Sequence, residues 1–434
     1  MSATTAYTLI SGVTVLGALL AARRRFPVLF WWLVGYPLTA LRVAVSYRAT
    51  MDACGLTVPA SAMRRATARM LGRQAAPVAP RHSLPRPTGS GLVMRLRLAA
   101  GQSPEDFTAS ADRLRHAWAA HAVHVRPIKP GWLELRLVGW DVLADVDPVN
   151  RTRPEHLRLP LALREDGDWH VRDFRTVPHE LILGATQSGK SVYLRNLLCG
   201  LARQRVALVG IDCKWGVELA PFSARLSALA DTPDAANDLL DALVEEMEGR
   251  FRLIGSARSD PANAVLTSDV WGLPEELRPV PIVVVVDEVA ELFLAAGKED
   301  EKRRDAMVTK LIRLAQLGRA AGMYLEVCGQ RFGSELGKGA TMLRAQLTGR
   351  VCHRVNDESS ANMALADIAA EAALAATTLP AERPGVAIIG DSSGGWARVR
   401  SPYLSLDDAA AVCRETSTLA PYLPGLAPFR PVTW

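Results

Sequence analysis

Residues 2–22 contain no charged side chain, and their apolar run AYTLISGVTVLGALLAA closes against Arg23, Arg24 and Arg25. A stretch of that length and composition predicts a membrane span. Its positive cluster follows the apolar run, the reverse of a cleavable leader, so it is expected to stay attached. A second run, FPVLFWWLVGYPLTAL, starts at Phe26; as a helix it covers about 24 Å, short of the ~30 Å hydrocarbon core. It carries Trp31, Trp32 and Tyr36, residue types favoured at the headgroup level. This run either spans the membrane beside a tilted neighbour or lies in the interface. One span keeps the three arginines inside and two put them outside. Residues 1–48 are therefore read as a cell-membrane anchor, with the body of the chain on the cytoplasmic side.

Periodicity is lost across residues 49–90, which end in AAPVAPRHSLPRPTGSG and are expected to form a basic Pro/Ser linker. Over 91–150 it returns as a small α/β domain. GLVMRLRL alternates like a half-buried strand, SPEDFTASADRLRHAWAA starts a helix with Ser103 as N-cap and Pro104 at its first position, and AVHVRPI and WLELRLVG read as strands. Over 151–400 the runs ELILG, VALVGID, PIVVVVD, MYLEVCG, RVCHRV and GVAII alternate with helical patterns. Runs apolar on both faces, such as VVVVD, predict a parallel sheet with helices on each side. Residues 401–434 are read as a C-terminal tail.

Charge adds an asymmetry. Residues 1–90 hold eleven arginines against Asp52, a balance of +10, so the remainder of the chain is −4 for the total of +6. A basic flank beside apolar runs suits an anionic membrane surface or a nucleic-acid backbone. At 49% apolar and 22% charged, the chain is not dominated by disorder. Its six cysteines form no CxxC pair, which argues against zinc and against a disulfide framework.

Residues 184–191 read GATQSGKS directly after the strand ELIL, the phosphate-binding pattern GxxxxGK[ST] in the context it requires. Gly184, Ala185, Thr186, Gln187, Ser188 and Gly189 would curl the backbone around the phosphates of ATP. Lys190 would reach the β and γ oxygens, and the Ser191 hydroxyl would ligate Mg2+ at a helix N-terminus. In PIVVVVDE, Asp287 would hold the metal through water and Glu288 would deprotonate the attacking water. Gln330 ends another strand and is either a γ-phosphate sensor or a turn residue. Arg319, Arg350 and Arg354 are candidates for a charge donated to the neighbouring subunit, or for surface ion pairs.

The succession PHELILGATQSGKSV, IDCKWGVEL, TPDAANDLLDALVEEMEGRFRLI, IVVVVDEVAELF, GRAAGMYLEVCGQR and LTGRVCHRVNDESSA resembles the FtsK/SpoIIIE family of DNA translocases. The resemblance implies a RecA-like P-loop motor, a homo-hexameric ring holding double-stranded DNA, ATP hydrolysed between subunits, and a role for Lys214 in the IDxK element. The short anchor is closer to the Tra proteins of conjugative plasmids and integrative elements of filamentous bacteria, which implies conjugative transfer alongside other transfer proteins. Some 45 residues follow GVAII, too few for the family's winged-helix recognition domain. Chromosome segregation and protein secretion are the alternative uses of such a motor, and a non-catalytic membrane tether for DNA is a third.

Overall fold

The computed structural model describes residues 26–148, 155–259, 264–295, 297–333, 336–337, 339–391 and 394–432. The apolar run of residues 2–22 lies outside them. The chain divides into two compact units, Met1–Ala144 with Glu165–Asp168, and Asp145–Arg164 with Trp169–Trp434.

The first unit is built on strands β1 (Arg81–His82), β2 (Arg86–Pro87), β3 (Gly91–Arg97), β4 (Ala122–Lys129) and β5 (Trp132–Val138). All pairings are antiparallel, in the order β1-β3-β5-β4 with β2 beside β3. Alternation buries Leu92, Met94 and Leu96 of β3 with Leu133, Leu135 and Leu137 of β5. The second apolar run is helical through Pro27–Phe30, a wide turn at Trp31–Gly35, and α1 (Tyr36–Ala53), well past the expected end at Leu41. One stripe of it (Trp31, Val43, Tyr47, Met51) joins the core of this unit. The Trp31 indole N–H donates to the Gly91 carbonyl at 3.0 Å and the Tyr47 hydroxyl to the Pro80 carbonyl at 2.9 Å. Leu33, Leu38, Leu41 and Val45 remain exposed, so Val28–Ala53 is long and apolar enough to cross a membrane while one side of it is already occupied by protein.

Residues 49–90 differ from the expected linker. They contain α2 (Ala62–Met70), a bridge between Val58 and Val78, and the strands β1 and β2. Leu56 and Ala60 are buried there. The Pro and Ser content that reads as linker instead supplies edge strands, where a missing N–H costs no ladder bond. The helical stretch after Ser103 is α3 (Pro104–Ala109) followed by α4 (Ala111–Trp118), and the Asp106 carboxylate accepts the Ser103 N–H at 2.7 Å.

The second unit holds one ten-stranded sheet. Its strands are β6 (Arg158–Arg164), β7 (Trp169–Asp173), β8 (His179–Leu183), β9 (Ala207–Ile211), β10 (Ala228–Ala230), β11 (Ile282–Val286), β12 (Met323–Gly329), β13 (Gly349–His353), β14 (Val386–Asp391) and β15 (Trp396–Arg400). The order is β10-β9-β11-β12-β8-β13-β14-β15-β6-β7, parallel from β10 to β13 and antiparallel beyond. The expected parallel sheet is formed by the six strands from β10 to β13, and an antiparallel extension continues it.

Both faces are covered. Leu183, Val284, Val286 and Leu325 face α6 (Pro233–Arg258), α7 (Lys298–Leu317), α9 (Glu358–Leu365) and α10 (Ala370–Thr377), while the alternate residues Ile182, Val283, Val285 and Cys328 face α5 (Lys190–Ala202) and α11 (Leu406–Glu415). A short α8 (Ala340–Gln346) precedes β13.

The expected tail belongs to this core. Ala409 and Cys413 of α11 are fully buried against α5, and Leu426 is buried with the opposite helical layer. A chain ending at Tyr403 loses this burial, and its thermal midpoint should fall by about 10 °C or more; calorimetry finding the full-length midpoint unchanged would show that residues 404–434 are dispensable to the core.

Candidate active site

The loop of residues 184–189 leaves β8 and delivers Lys190 to the first turn of α5. Its shape needs the left-handed region at Gln187 (φ 62°) and Gly189 (φ 105°). A Cβ on Gly189 would stand 2.1 Å from the Gly385 nitrogen, whose N–H donates to the Ser188 carbonyl at 2.9 Å. The Gly184 N–H donates to Gly329 O at 3.2 Å and the Ala185 N–H to Arg354 O at 2.9 Å, so neighbouring strand ends on both sides hold the loop open. The amides of Ala185 and Ser188, expected at the phosphates, are thereby engaged inside the protein; Ser188 N–H donates to Ala185 O at 3.1 Å. Thr186 and Gln187 are exposed and Ser191 is half-buried. The Ser188 hydroxyl is buried with no hydrogen-bond partner among the described residues.

Facing the loop are two acids at the end of β11. The Lys190 ammonium lies 3.4 Å from the Asp287 carbonyl oxygen and 3.8 Å from Glu288 Oε2. Lys214 Nζ lies 3.4 Å from the same Oε2, and Glu288 Oε1 accepts the Gln330 backbone N–H at 3.3 Å. The structure therefore brings Lys190, Asp287, Glu288, Lys214 and Gln330 together. β11 is not the hydrogen-bonded neighbour of β8: β12 lies between them and places Gln330 there. It is the backbone of Gln330, not its exposed side chain, that touches the acid.

Asp287 is nearly buried, and burial pushes its carboxyl up to about 6, opposed by Lys190 and reinforced by Asp212 and Glu218. Asp212 itself, at the end of β9, accepts the N–H groups of Lys214, Glu218 and Leu219 at 3.2, 2.9 and 3.1 Å. Its role in tying this loop down could have been suspected from VALVGID, which ends in an acid just as PIVVVVD does. A cavity of about 590 Å³ runs from the loop past Lys214 and Asp287 to Pro384, Gly385, Arg400 and Tyr403. The last four had no local motif; they come together only through the antiparallel strands β14 and β15.

The three arginines separate. Arg350 is buried, donates to the Gly349 and Arg344 carbonyls at 3.3 and 3.0 Å and lies 3.7 Å from Asp367, so its side chain serves its own subunit and is removed as a donor in trans. Arg354 is half-buried beside the loop, with Nη1 donating to Asn356 at 3.2 Å. Arg319 is exposed just before β12, at the sheet edge away from the loop.

A strand-borne acid pair opposite a phosphate loop, with the sheet order found here, is the arrangement of an ATP-hydrolysing motor, and comparison with known proteins agrees. The FtsK/SpoIIIE family profile matches residues 143–334, and the profile of the actinomycete conjugal transfer protein N-terminal domain matches residues 18–139. Transfer protein TraSA of Streptomyces ambofaciens is 56% identical over 395 residues, covering 90% of this chain and 95% of that one. The chain belongs to the TraSA family of transfer proteins, with an FtsK/SpoIIIE motor. DNA translocase FtsK of Mycobacterium tuberculosis is 31% identical over 262 residues, 54% of this chain and 30% of FtsK. The structure of the pCW3 conjugation coupling protein TcpA, a monomer form with ATPγS, superposes with a TM-score of 0.56 at 19% identity over 87% of this chain and 99% of that one, a likeness of fold. Within the TraSA family, then, this chain is a P-loop ATPase whose phosphate loop and acid pair lie at one sheet edge.

The raised carboxyl of Asp287 carries a sign. Its ionised form costs the folded protein stability above about pH 6, and that cost disappears below the ordinary carboxylate range. In magnesium-free buffer, Asp287→Asn should therefore melt higher than wild type near pH 8 and converge with it near pH 4. A lower melting temperature for the variant near pH 8 would contradict the burial argument.

Proposed function

We propose that this protein hydrolyses ATP to drive double-stranded DNA through a homo-hexameric ring at the cytoplasmic membrane, in conjugative transfer between cells. The observation that carries the reading is the correspondence to TraSA along 95% of that transfer protein's length, which takes in the first unit as well as the motor. A likeness confined to the motor would fit segregation equally.

The assigned chemistry follows the geometry. Lys190 binds the β and γ oxygens, and the free amides of Gly189, Lys190 and Ser191 at the start of α5 point toward the same phosphates. The donor set fits a hydrated Mg2+: an underpaired, buried Asp287 carboxylate, the Ser191 hydroxyl at a helix N-terminus, and Asp212 nearby. When bound, the ion neutralises charge on the bridging and terminal phosphate oxygens. Glu288 takes the proton of the attacking water, and the Gln330 amide holds its carboxylate in place. Arg319 or Arg354 supplies the charge across the subunit boundary, which makes hydrolysis depend on assembly.

The first unit is the membrane-proximal part. The apolar stripe of Leu33, Leu38, Leu41 and Val45, which that unit leaves uncovered, supports an interfacial position for this helix.

The test is hydrolysis by the full-length protein with and without long duplex DNA. Duplex should stimulate turnover. Lys190→Ala and Glu288→Gln should cut it about a hundredfold or more, and Lys190→Ala should abolish transfer while still fractionating with membranes. Normal transfer by Lys190→Ala would overturn the reading.

A further inference from the structure

Both oxygens of the Glu288 carboxylate are engaged. Oε1 accepts the Gln330 N–H at 3.3 Å, and Oε2 is shared by Lys214 at 3.4 Å and Lys190 at 3.8 Å. A general base needs a lone pair aimed at water, and both oxygens here are turned to other partners. Lys190 has another partner waiting, since the γ-phosphate draws it away. Lys214 makes its ion pair with Glu288 and also lends charge to Asp287.

Lys214 sits on a loop tied down by Asp212. Asp212 ties both of its ends, accepting N–H groups from Lys214 on one side and from Glu218 and Leu219 on the other, while Gly216 N–H donates to the Asp212 carbonyl at 3.1 Å. Between the ties the side chains of Trp215 (82% exposed, φ 61°) and Val217 (71% exposed) face outward, while Gly216 is buried and its carbonyl accepts the Ala220 N–H at 2.8 Å. A left-handed backbone at a bulky aromatic residue is strained.

Building on the hydrolysis mechanism above, we propose that Lys214 is a positioning residue that restrains Glu288, and that its ammonium must leave Oε2 for Glu288 to turn toward water. The restraint is an ion pair half open to solvent, so its removal should raise turnover without DNA roughly fivefold.

The experiment compares full-length wild type, Lys214→Ala, Lys214→Arg, Glu288→Gln and the double variant Lys214→Ala/Glu288→Gln, each with and without long duplex DNA, alongside titration with a fluorescent ADP. The proposal expects Lys214→Ala to hydrolyse about fivefold faster than wild type without DNA, to be stimulated less by DNA, and to bind ADP unchanged. Lys214→Arg should restore the slow resting rate, and the double variant should be as inactive as Glu288→Gln. Slower hydrolysis by Lys214→Ala with ADP binding intact would overturn the restraint while leaving the site assignment standing. Wild-type turnover by Glu288→Gln would instead overturn the site assignment itself.

Discussion

Parallel pairing sends every strand's carboxyl end to one edge of a sheet, and the register of β12 between β8 and β11 decides what meets there. Gly329 lies opposite Leu183, Val327 opposite Val286, and Val286 opposite Ile211. The phosphate loop, Gln330, the acid pair and Asp212 therefore all leave the sheet at nearly the same level. Sliding β12 by one residue would carry Gln330 about 3.3 Å along the strand and turn each of its side chains to the other face. The amide would then lose Glu288 and the Gly329 carbonyl would lose the loop.

What locks that register lies deeper. Glu326 of β12 pairs directly with Glu180 of β8 in the middle of an apolar sheet, a juxtaposition of like charges that is unfavourable alone. Arg172 of β7 resolves it. Its guanidinium donates to Glu326 Oε1 from Nε at 3.1 Å and from Nη2 at 2.5 Å, lies 3.6 Å from Glu180, and packs over the Phe174 ring at 4.3 Å. The Tyr193 hydroxyl of α5 donates to Glu180 at 2.8 Å. One arginine does not balance two buried carboxylates, and burial pushes the Glu326 carboxyl well above its ordinary range against the pull of Arg172. Such a cluster adds little net stability compared with apolar packing, but any slipped pairing would strand a buried charge. It joins β7, β8, β12 and α5, the elements that carry the loop and Gln330.

The sequence and the structure agree where chemistry is local. A phosphate loop is eight consecutive residues with fixed jobs, and an acid pair after four valines shows both burial and strand end, so Lys190, Asp287 and Glu288 were readable from one segment each. Six strands of the motor were legible because burial on both faces leaves unbroken apolar runs. β6, β7 and β15 were not: RLPLALR, WHVRD and WARVR carry charges on a half-open antiparallel edge and mimic loop composition. Residues 49–90 misled in the same way, since proline suits an edge strand as well as a linker. The cavity wall at Gly385, Arg400 and Tyr403 could not be read at all, because only the pairing of β14 with β15 assembles it.

Two acids adjacent in sequence end up in different surroundings because successive strand residues point to opposite sides. Asp287 turns toward Asp212 and Glu218 in a buried spot that resists ionisation, whereas Glu288 turns toward Lys214 and the Gln330 amide. Lys190 is the cation common to both, touching the Asp287 carbonyl and the Glu288 carboxylate. On the proposed mechanism, a triphosphate drawing that ammonium away would remove a counter-charge from both acids in one event and leave Lys214 as the remaining cation on Glu288.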